Sequence, residues 1–380
     1  MKLSVLLPTR NGARYLRDCI ASVLAANLEE LELVVSDNAS EDNTQEVLAV
    51  FADDPRLRTI RQPRPISVTE NWTAALEAST GEHLLLLGDD DCLLPGGLDQ
   101  LAKAHAQLGA PEVLSFEAYG FAFPDALDAG SPAHFSDPLF PHDRRLPREG
   151  ALSADRRAWS VREFFRFEFT VCPNLQTTLC SRAALERLPK GPFRAPYPDF
   201  YAINALLLTT LSWTHLSRKL VAVGISPKSF GRTLKGGGTD AGRAYLGIDT
   251  QFDGYLPGTD MLNGMHLTLQ HLKSDFPELL ADVEISRSNY VYRQLYSWYL
   301  SARLGAIDRT ELVRRLRLLS VRDWAGFAFE LTARFNVDMV RRHARVDDSS
   351  AIASVWPNMH PAPEHRSIRE FAAWAATQGA

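Results

Sequence analysis

The sequence has few cysteines and no long apolar run. Its four cysteines are scattered over 380 residues without a CxxC pair, which disfavours a disulfide scaffold and fits free thiols in a reducing compartment. No stretch approaches the roughly 18 apolar residues of a membrane-spanning helix. The apolar start at Leu3–Leu7 is also too short for a signal peptide. We therefore expect a cytoplasmic protein without a transmembrane helix.

Several catalytic and binding signatures are also missing. The ten histidines form no HExxH pair and no GxSxG sequence occurs, which disfavours a zinc enzyme and an α/β-hydrolase. The net charge of −5 disfavours a protein that binds nucleic acid by neutralising phosphates. The remaining composition, 45% hydrophobic and 23% charged, is that of a globular chain with two domains or one enlarged α/β domain.

Strands and helices alternate at the start of the chain. Short runs predict strands at Leu3–Leu7, Leu31–Ser36, Arg58–Arg61 and His83–Leu87. The segments between them repeat apolar residues at helical spacing. This alternation predicts a mostly parallel sheet with helices on both faces.

Capping signals predict where several helices begin. Asn43, Ser67 and Ser160 are each followed three residues later by Glu, which is the pattern of a capping box. Pro95 is placed as the first residue of the helix after the fourth strand. Gly81 is placed to end the helix that Ser67 opens.

Polar residues follow three of these strands at the point where each strand ends. In open parallel sheets, ligands bind beyond the carboxyl ends of the strands. We therefore expect three clusters to meet at one edge of the sheet: Thr9–Asn11, Asp37–Asn38 and Asp89–Asp91.

The acidic triplet Asp89–Asp91 directly follows an apolar strand. Three adjacent carboxylates repel one another, whereas a surface turn needs only one Asp or Asn. Oxygen-rich clusters suit Mg²⁺ or Mn²⁺, which bind one or two carboxylates together with substrate phosphates. The alternative is an acidic turn stabilised by the dipole of the following helix.

On these residues the chain resembles family 2 glycosyltransferases, which have the GT-A fold, a Rossmann-like α/β fold. The resemblance covers about residues 2–225 and is carried by four segments in order. They are SVLLPTRNGARYLRDCIASVL near the start, VVSDNASEDNT at 34–44, NWTAALEASTGEHLLLLGDDDCLLPGGL at 71–98 and LCSRAALERLPKGPFRAPYPDFYAINALL at 179–207. The third contains a DxD-type metal motif.

The resemblance implies a nucleotide-sugar site. It assigns nucleotide contacts to Pro8, Thr9, Arg10, Asn11, Asp37, Asn71, Asp89 and Asp90. Asp37 matches the residue that accepts a hydrogen bond from a uracil N3–H. Asp89 and Asp91 match the ligands of Mn²⁺ or Mg²⁺, although relatives with an acidic residue in place of Gly88 leave a second register open. Asp37 as a turn residue and Asn11 as a helix cap are the simpler alternatives.

Inverting glycosyl transfer requires a base beside the acceptor hydroxyl. Asp199 follows a proline-rich loop and begins an apolar helix, and the resemblance places the general base there. A helix cap is the alternative role for Asp199. Tyr197, Phe200 and Tyr201 form a candidate aromatic surface for the acceptor, with core packing as the alternative.

The whole chain is predicted to divide into four regions. These are a nucleotide-sugar-binding half at 1–110, an acceptor-side half at 111–228, a mobile glycine-rich loop at 229–250 and a helical region at 251–380. The loop is either a lid over the diphosphate, with Arg232, Lys235 and Arg243, or a plain surface loop. Residues 301–345 carry ten arginines and five acidic residues, which indicates a solvated helical face or a contact with an anionic membrane.

The sequence thus predicts a metal-dependent, inverting glycosyltransferase that uses a nucleotide sugar, most plausibly a UDP-sugar. Its acceptor is a hydroxyl of a glycan, a lipid-linked sugar or a small molecule, and nucleic acid is not a partner. Peripheral contact with the inner membrane face and a homodimer through the C-terminal helices are further hypotheses. The rival functions are a sugar-phosphate nucleotidyltransferase and a non-catalytic nucleotide-sugar-binding protein.

Overall fold

The computed structural model describes residues 1–127, 129–229, 246, 252–258, 260–303, 305–333 and 358–378. The first part alternates strands and helices as predicted. Its elements are β1 (Leu3–Thr9), α1 (Ala13–Leu24), β2 (Leu31–Asp37), α2 (Thr44–Ala49), β3 (Leu57–Arg61), α3 (Val68–Ala78), β4 (His83–Leu86), β5 (Cys92–Leu93) and α4 (Gly97–Gln107).

The second part mixes short strands with helices and then becomes helical. It contains β6 (Val113–Ala122), β7 (His134–Ser136), β8 (Gly150–Ala151), α5 (Ala154–Phe164), a 3₁₀ turn (Leu175–Thr177), β9 (Thr178–Ser181), α6 (Arg182–Glu186), α7 (Pro198–Thr209) and β10 (Trp213–Ile225). The later elements are α8 (Asp260–Asp275), α9 (Arg287–Arg303), α10 (Arg309–Leu316), α11 (Val321–Ala333), β11 (Met359–Pro361) and α12 (Ile368–Gln378).

One mixed sheet organises these elements. Strands β3, β2, β1 and β4 are parallel neighbours, so their carboxyl ends lie at one edge. Strand β9 runs antiparallel between β4 and β6, and β10 is parallel to β6 along its length. The sheet is therefore parallel where the nucleotide site is predicted and mixed beyond it.

Alternating residues of the strands feed two apolar cores. Val5 and Leu7 of β1 pack on the face covered by α1 and α4, whereas Leu6 packs on the face covered by α3, α5 and α7. Apolar residues of α8 and α9 join that second core, so these helices pack directly on the part of the chain that contains α5 and α7. Burial on both faces explains why the parallel strands read as continuous apolar runs.

Some predicted helix boundaries are confirmed and others are wrong. Asn43 is the cap residue of α2 as predicted, although its side chain forms no cap bond, whereas Ser153, not Ser160, caps α5. Helix α4 begins after Gly96, whose φ of 70° is in the left-handed region, so Pro95 precedes the helix. Helix α3 ends before Gly81, which instead lies so close to β1 that a Cβ would collide with the Ser4 side chain.

The last described segment returns to the sheet. The sequence predicts a linker before the final helix, but Met359–Pro361 forms β11, which pairs with β7. Phe371 of α12 is fully buried and packs on Tyr119 and Phe121 of β6. This end of the chain therefore covers the sheet rather than extending the helical region.

Within the ranges given above, no helix combines the length and the apolar character needed to cross a membrane.

The Ser67 cap gives a test of local stability. Ser67 and Glu70 form a complete capping box at α3, so Ser67→Ala should lower the free energy of unfolding by about 1 kcal/mol. Urea unfolding followed by circular dichroism measures the loss. Asn43→Ala is the matched control and should change little, because its side chain forms no cap bond. Equal losses in both variants would contradict this assignment.

Candidate functional site

The loop after β1 brings Thr9 onto the acidic triplet. Thr9 is buried at the end of β1, and its hydroxyl donates a hydrogen bond of 2.5 Å to Asp89 Oδ2. A Cβ on Gly12 would collide with this carboxylate and with the Thr9 hydroxyl. Asn11 takes a φ of 52°, a left-handed conformation that Asn tolerates better than most residues. The predicted meeting of the first and third polar clusters is therefore observed.

The second cluster is held against the first by hydrogen bonds. The backbone N–H of Asn11 donates to Ser40 Oγ at 2.8 Å, and Asn11 Oδ1 accepts from the backbone N–H of Glu41 at 2.8 Å. Asp42 Oδ2 accepts from the N–H of Ala13 at 3.0 Å in the first turn of α1. Sequence reasoning missed Ser40 and Asp42, although both lie in the quoted segment 34–44.

Asp37 is fully buried at the carboxyl end of β2. Its Oδ1 accepts from the backbone N–H of Ser40 at 2.9 Å, and its Oδ2 accepts from Gln45 Nε2 at 2.5 Å. The Arg61 guanidinium lies 3.6 Å from Oδ2. These contacts fix the orientation of the carboxylate at the edge where a base is expected.

Asn38 and Asn71 join the loops behind this edge. Asn38 exchanges two hydrogen bonds with the backbone of Ile66, at 2.8 and 2.9 Å. Asn71 is buried in α3, where its Oδ1 accepts from the Ser36 hydroxyl at 2.7 Å and its Nδ2 donates to the Ser36 carbonyl at 3.2 Å. The Asn71 amide therefore joins α3 to β2, a positioning role rather than the predicted nucleotide contact.

The three aspartates have different surroundings. Asp91 is buried, and its two oxygens accept the backbone N–H groups of Gly88 at 2.6 Å and Gly224 at 2.8 Å. Asp89 and Asp90 are partly exposed, and Asp90 Oδ2 accepts from the Ser229 hydroxyl at 2.8 Å. Asp91 thus connects the triplet to β10, and its position does not support the predicted role as a metal ligand beside Asp89. The accessible carboxylates at the edge are those of Asp89 and Asp90.

Burial and mutual repulsion disfavour charge on the triplet. Burial, with the neighbouring charge of Asp90, raises the pKa of Asp89 to about 7, while the Thr9 hydroxyl and the Lys228 ammonium act in the opposite direction. Burial also raises the pKa of Asp90, and burial together with Asp90 raises that of Asp91. Carboxylates whose charged form is disfavoured in this way are stabilised by a nearby cation.

A divalent cation fits this donor set. Asp89 and Asp90 supply the hard oxygen ligands that Mg²⁺ and Mn²⁺ prefer, and both are accessible from the edge. Among the residues that the structure describes, no group of three or more His, Cys, Asp or Glu side chains is arranged to hold a metal ion.

Asp199 lies in the first turn of α7. The cap residue of this helix is Tyr197, so Asp199 is not the cap, and its Oδ1 accepts from the N–H of Phe200 at 3.0 Å. The side chain remains partly exposed, yet burial raises its pKa to about 7. A carboxyl group whose pKa is near 7 can take a proton from a hydroxyl and later release it.

The three aromatic residues around Asp199 separate into two kinds. Tyr201 is fully buried, and its hydroxyl donates at 2.9 Å to Asp275, which also pairs with Lys190 and Arg194. The expectation that Tyr201 lines the acceptor surface is therefore wrong. Tyr197 and Phe200 are partly exposed, and their ring centroids are 5.1 Å apart.

Tyr197 relates the Asp199 region to the predicted nucleotide edge. It packs in one apolar cluster with Val68 and Trp72, which lie at the start of α3 next to the Asn38 loop. Asp199 and the predicted nucleotide site are thus on neighbouring surfaces. The predicted lid residues Arg232, Lys235 and Arg243 lie outside the described residues.

Asp91→Asn tests the connection between the triplet and β10. The Asn oxygen can accept only one of these two bonds and the Asn NH₂ group accepts none, so either Gly88 or Gly224 would keep an unpaired buried N–H. The free energy of unfolding should fall by about 2 kcal/mol, measured by denaturant unfolding. Asp90→Asn is the control, because Asn still offers an oxygen to Ser229. A smaller loss for Asp91→Asn than for the control would refute this role.

Comparisons with known proteins agree with this architecture. Residues 4–119 match the family model described as glycosyl transferase family 2. A GalNAc(5)-diNAcBac-PP-undecaprenol beta-1,3-glucosyltransferase of Campylobacter jejuni is 35% identical over 104 residues, 27% of this chain and 34% of that protein. A PGL/p-HBAD biosynthesis glycosyltransferase of Mycobacterium tuberculosis is 32% identical over 110 residues, 29% of this chain and 42% of that protein.

The chain thus matches about a third of the length of the first of these relatives. The crystal structure of S. aureus TarS 1-349 in complex with UDP-GlcNAc has a TM-score of 0.50 at 13% identity, covering 100% of this chain and 92% of that one. This likeness bears on the fold alone. Together with the sheet order, it shows that the chain has the GT-A fold and that its residues 4–119 are similar to glycosyl transferase family 2.

Proposed function

We propose that this protein transfers a sugar from a nucleotide-sugar donor to an acceptor hydroxyl, with Asp199 as the general base. The observation that carries the proposal is the pairing of two surfaces. One is the edge where Thr9, Asp37 and Asp89 converge, and the other is a partly exposed carboxyl group with a pKa of about 7. The chain before Asp199 packs on α3, with the Phe193 ring 5.5 Å from that of Trp72, and Tyr197 shares an apolar cluster with Val68, so we place the second surface beside the first.

We propose a UDP-sugar as the donor. Asp37 Oδ2 accepts from Gln45 and lies 3.6 Å from Arg61, so Oδ1 is the oxygen that would accept a uracil N3–H; because the carboxylate is fully buried, the surrounding loop must open for the base to reach it. Guanine would present two adjacent donors, N1–H and N2–H, and would need both oxygens. Pro8, Arg10 and Asn11 flank the same edge, where the base and ribose would lie.

The diphosphate would lie over Asp89 and Asp90. We propose that these two residues, together with diphosphate oxygens, hold Mn²⁺ or Mg²⁺, and that Asp91 positions them through Gly88 and Gly224. A bound cation would neutralise charge that develops on the departing diphosphate. The Lys228 side chain is exposed, and its ammonium acts electrostatically on Asp89, so it is placed to contribute a second positive charge.

The acceptor side supports a single displacement. A base that removes the proton from the attacking hydroxyl gives inversion, because the hydroxyl attacks opposite the departing diphosphate. The Campylobacter jejuni relative is named for an undecaprenol-linked acceptor, but the family match ends at residue 119 and does not reach Asp199. The proposed acceptor is therefore a hydroxyl group of a glycan, a lipid-linked sugar or a small molecule.

Removing the base should separate binding from transfer. Asp199→Asn should lower kcat by at least about 100-fold, because the amide cannot take the proton. Binding of UDP with Mn²⁺ should be unchanged, as measured by isothermal titration calorimetry. Retained transfer would rule out Asp199 as the base. A wild-type protein that binds but turns over no donor would instead be a nucleotide-sugar-binding protein.

The pH profile should report the same group. Asp199 acts as a base only when ionised, and its pKa is raised to about 7, so activity should be lost as the pH falls. We expect kcat/KM to decline about tenfold per pH unit on the acid side and to level off above neutrality. A profile that stays flat down to the ordinary carboxyl range would contradict the assignment.

Ligand-linked stabilisation tests the donor edge. UDP with Mn²⁺ should raise Tm more than UDP alone or GDP with Mn²⁺, because only the native state binds the ligand. Asp89→Asn and Asp90→Asn should remove the part that depends on Mn²⁺. Asp53→Asn is the matched control, since this exposed carboxylate precedes β3 at the opposite edge. A larger shift with GDP would refute the role of Asp37.

A further inference from the structure

Helix α11 has the reverse of the polarity that a surface helix usually has. Its two acidic residues, Asp323 and Glu330, are buried against the protein, whereas apolar residues such as Val321 and Phe329 are exposed. A surface helix ordinarily buries its apolar residues and directs its charged residues toward water. The reversal indicates that the exposed side of α11 contacts something other than water.

Polar contacts attach the inner side of α11 to α9. The Arg287 guanidinium donates to both carboxylate oxygens of Asp323, at 2.8 and 3.2 Å. The Ser288 hydroxyl donates to Glu330 Oε1 at 2.8 Å. A Cβ on Gly326 would lie 2.9 Å from the Ser288 Cβ, so the two helices approach closely between these contacts. Together they fix the rotation of α11 about its own axis, and this rotation directs its apolar residues outward.

The side of α11 that faces away from α9 is apolar along most of its length. Because successive residues of a helix are about 100° apart, Val321, Ala325 and Ala328 lie opposite Asp323. Val321 is 87% exposed and Phe329 is 68% exposed, so the described part of the chain covers neither. Single exposed apolar residues are ordinary, but a group of them on one helix marks a contact site. We call this group the outer face of α11; its residues are Val321, Trp324, Ala325, Ala328, Phe329 and Leu331.

Arginines lie beside the outer face. Arg322 is exposed in the first turn of α11, and Arg317 is exposed in the turn that precedes this helix. The acidic residues of α11 are on its inner side, and Glu311 of α10 is paired with Arg314 and Arg315. The surface next to the outer face therefore carries an excess of positive charge.

An anionic lipid bilayer complements both the apolar residues and the arginines. Helices that lie on membranes insert tryptophan, phenylalanine and leucine among the head groups and keep arginine at the border, where lipid phosphates attract it. Tryptophan is also enriched at this depth of the bilayer. A second copy of the chain would match the apolar residues but would bring together two surfaces with the same positive charge. The charge of this surface thus favours the bilayer over a second copy.

We propose that the outer face of α11 binds the surface of an anionic membrane, with Trp324 and Phe329 between the head groups and Arg317 and Arg322 at the lipid phosphates. Of the two sequence-based interpretations of this basic region, a solvated face and a membrane contact, the proposal adopts the second. It does not depend on the proposed transferase function, because none of these residues is assigned to the donor or the acceptor.

The test is co-sedimentation of the full chain with phosphatidylcholine vesicles that contain phosphatidylglycerol, without nucleotide or metal. Trp324→Ser and Phe329→Ser should each weaken binding about tenfold, because each removes apolar area that the bilayer would bury. Arg317→Ala and Arg322→Ala should each weaken it about fivefold, because each removes one charge that anionic lipid attracts. Added salt should weaken binding of the wild type by screening the same attraction.

The matched controls are Leu211→Ser and Arg156→Ala. Leu211 is 82% exposed in the turn after α7, and Arg156 is exposed on α5, so each matches the chemistry of an α11 variant at another place on the surface. Both controls should bind as the wild type does. Equal losses in the control and α11 variants overturn the proposal. Equal binding to vesicles of phosphatidylcholine alone, or no binding to any vesicle, also overturns it.

Light scattering of the free chain tests the second copy as the occupant. The proposal expects a molecular mass in solution that Phe329→Ser leaves unchanged. A dimer that Phe329→Ser dissociates would mean that a second copy covers the outer face, and this result would overturn the proposal. Binding of UDP with Mn²⁺ should be unchanged in every α11 variant, so failure of the membrane contact is distinguishable from failure of the transferase function.

Discussion

The Asp91 carboxylate connects the loop after β4, at the predicted nucleotide edge, to strand β10. It accepts hydrogen bonds from Gly88, directly after β4, and from Gly224 in β10. These two elements are separated by more than a hundred residues of chain, so one buried side chain sets the position of the loop that carries Asp89 and Asp90. The same burial that makes this contact rigid disfavours negative charge around it.

The fixed position of this loop determines which carboxylates the edge presents to a ligand. The outward carboxylates of Asp89 and Asp90 are held in place before any ligand arrives, by Thr9 on one side and Ser229 on the other. A cation and a diphosphate would then bind with little rearrangement, and preorganised charges are more effective than charges that must reorient. The Asp199 region is built independently on α7 and joins this edge through the packing of Tyr197.

Much of this arrangement could be predicted from the sequence, and its failures have physical reasons. Apolar periodicity located β1, β2 and β4, because strands buried on both faces leave a local signal. The meeting of Thr9 with Asp89 followed from parallel topology. The burial of Tyr201 did not, because its partner Asp275 is distant in sequence. Asn43 is the cap residue of α2 as predicted, but Asp42, one residue earlier, supplies the side-chain acceptor at this helix start, on the Thr44 N–H.

The collisions at Gly12 and Gly224 have a consequence for how substitutions would be interpreted. Any larger residue at Gly12 displaces the Asp89 carboxylate, and any larger residue at Gly224 meets the Asp90 carbonyl. In a screen that records only lost activity, both positions would resemble reactive groups although neither has a side chain with which to react. Their intolerance would report the closeness of two loops, and a parallel measurement of protein abundance would distinguish it from chemistry.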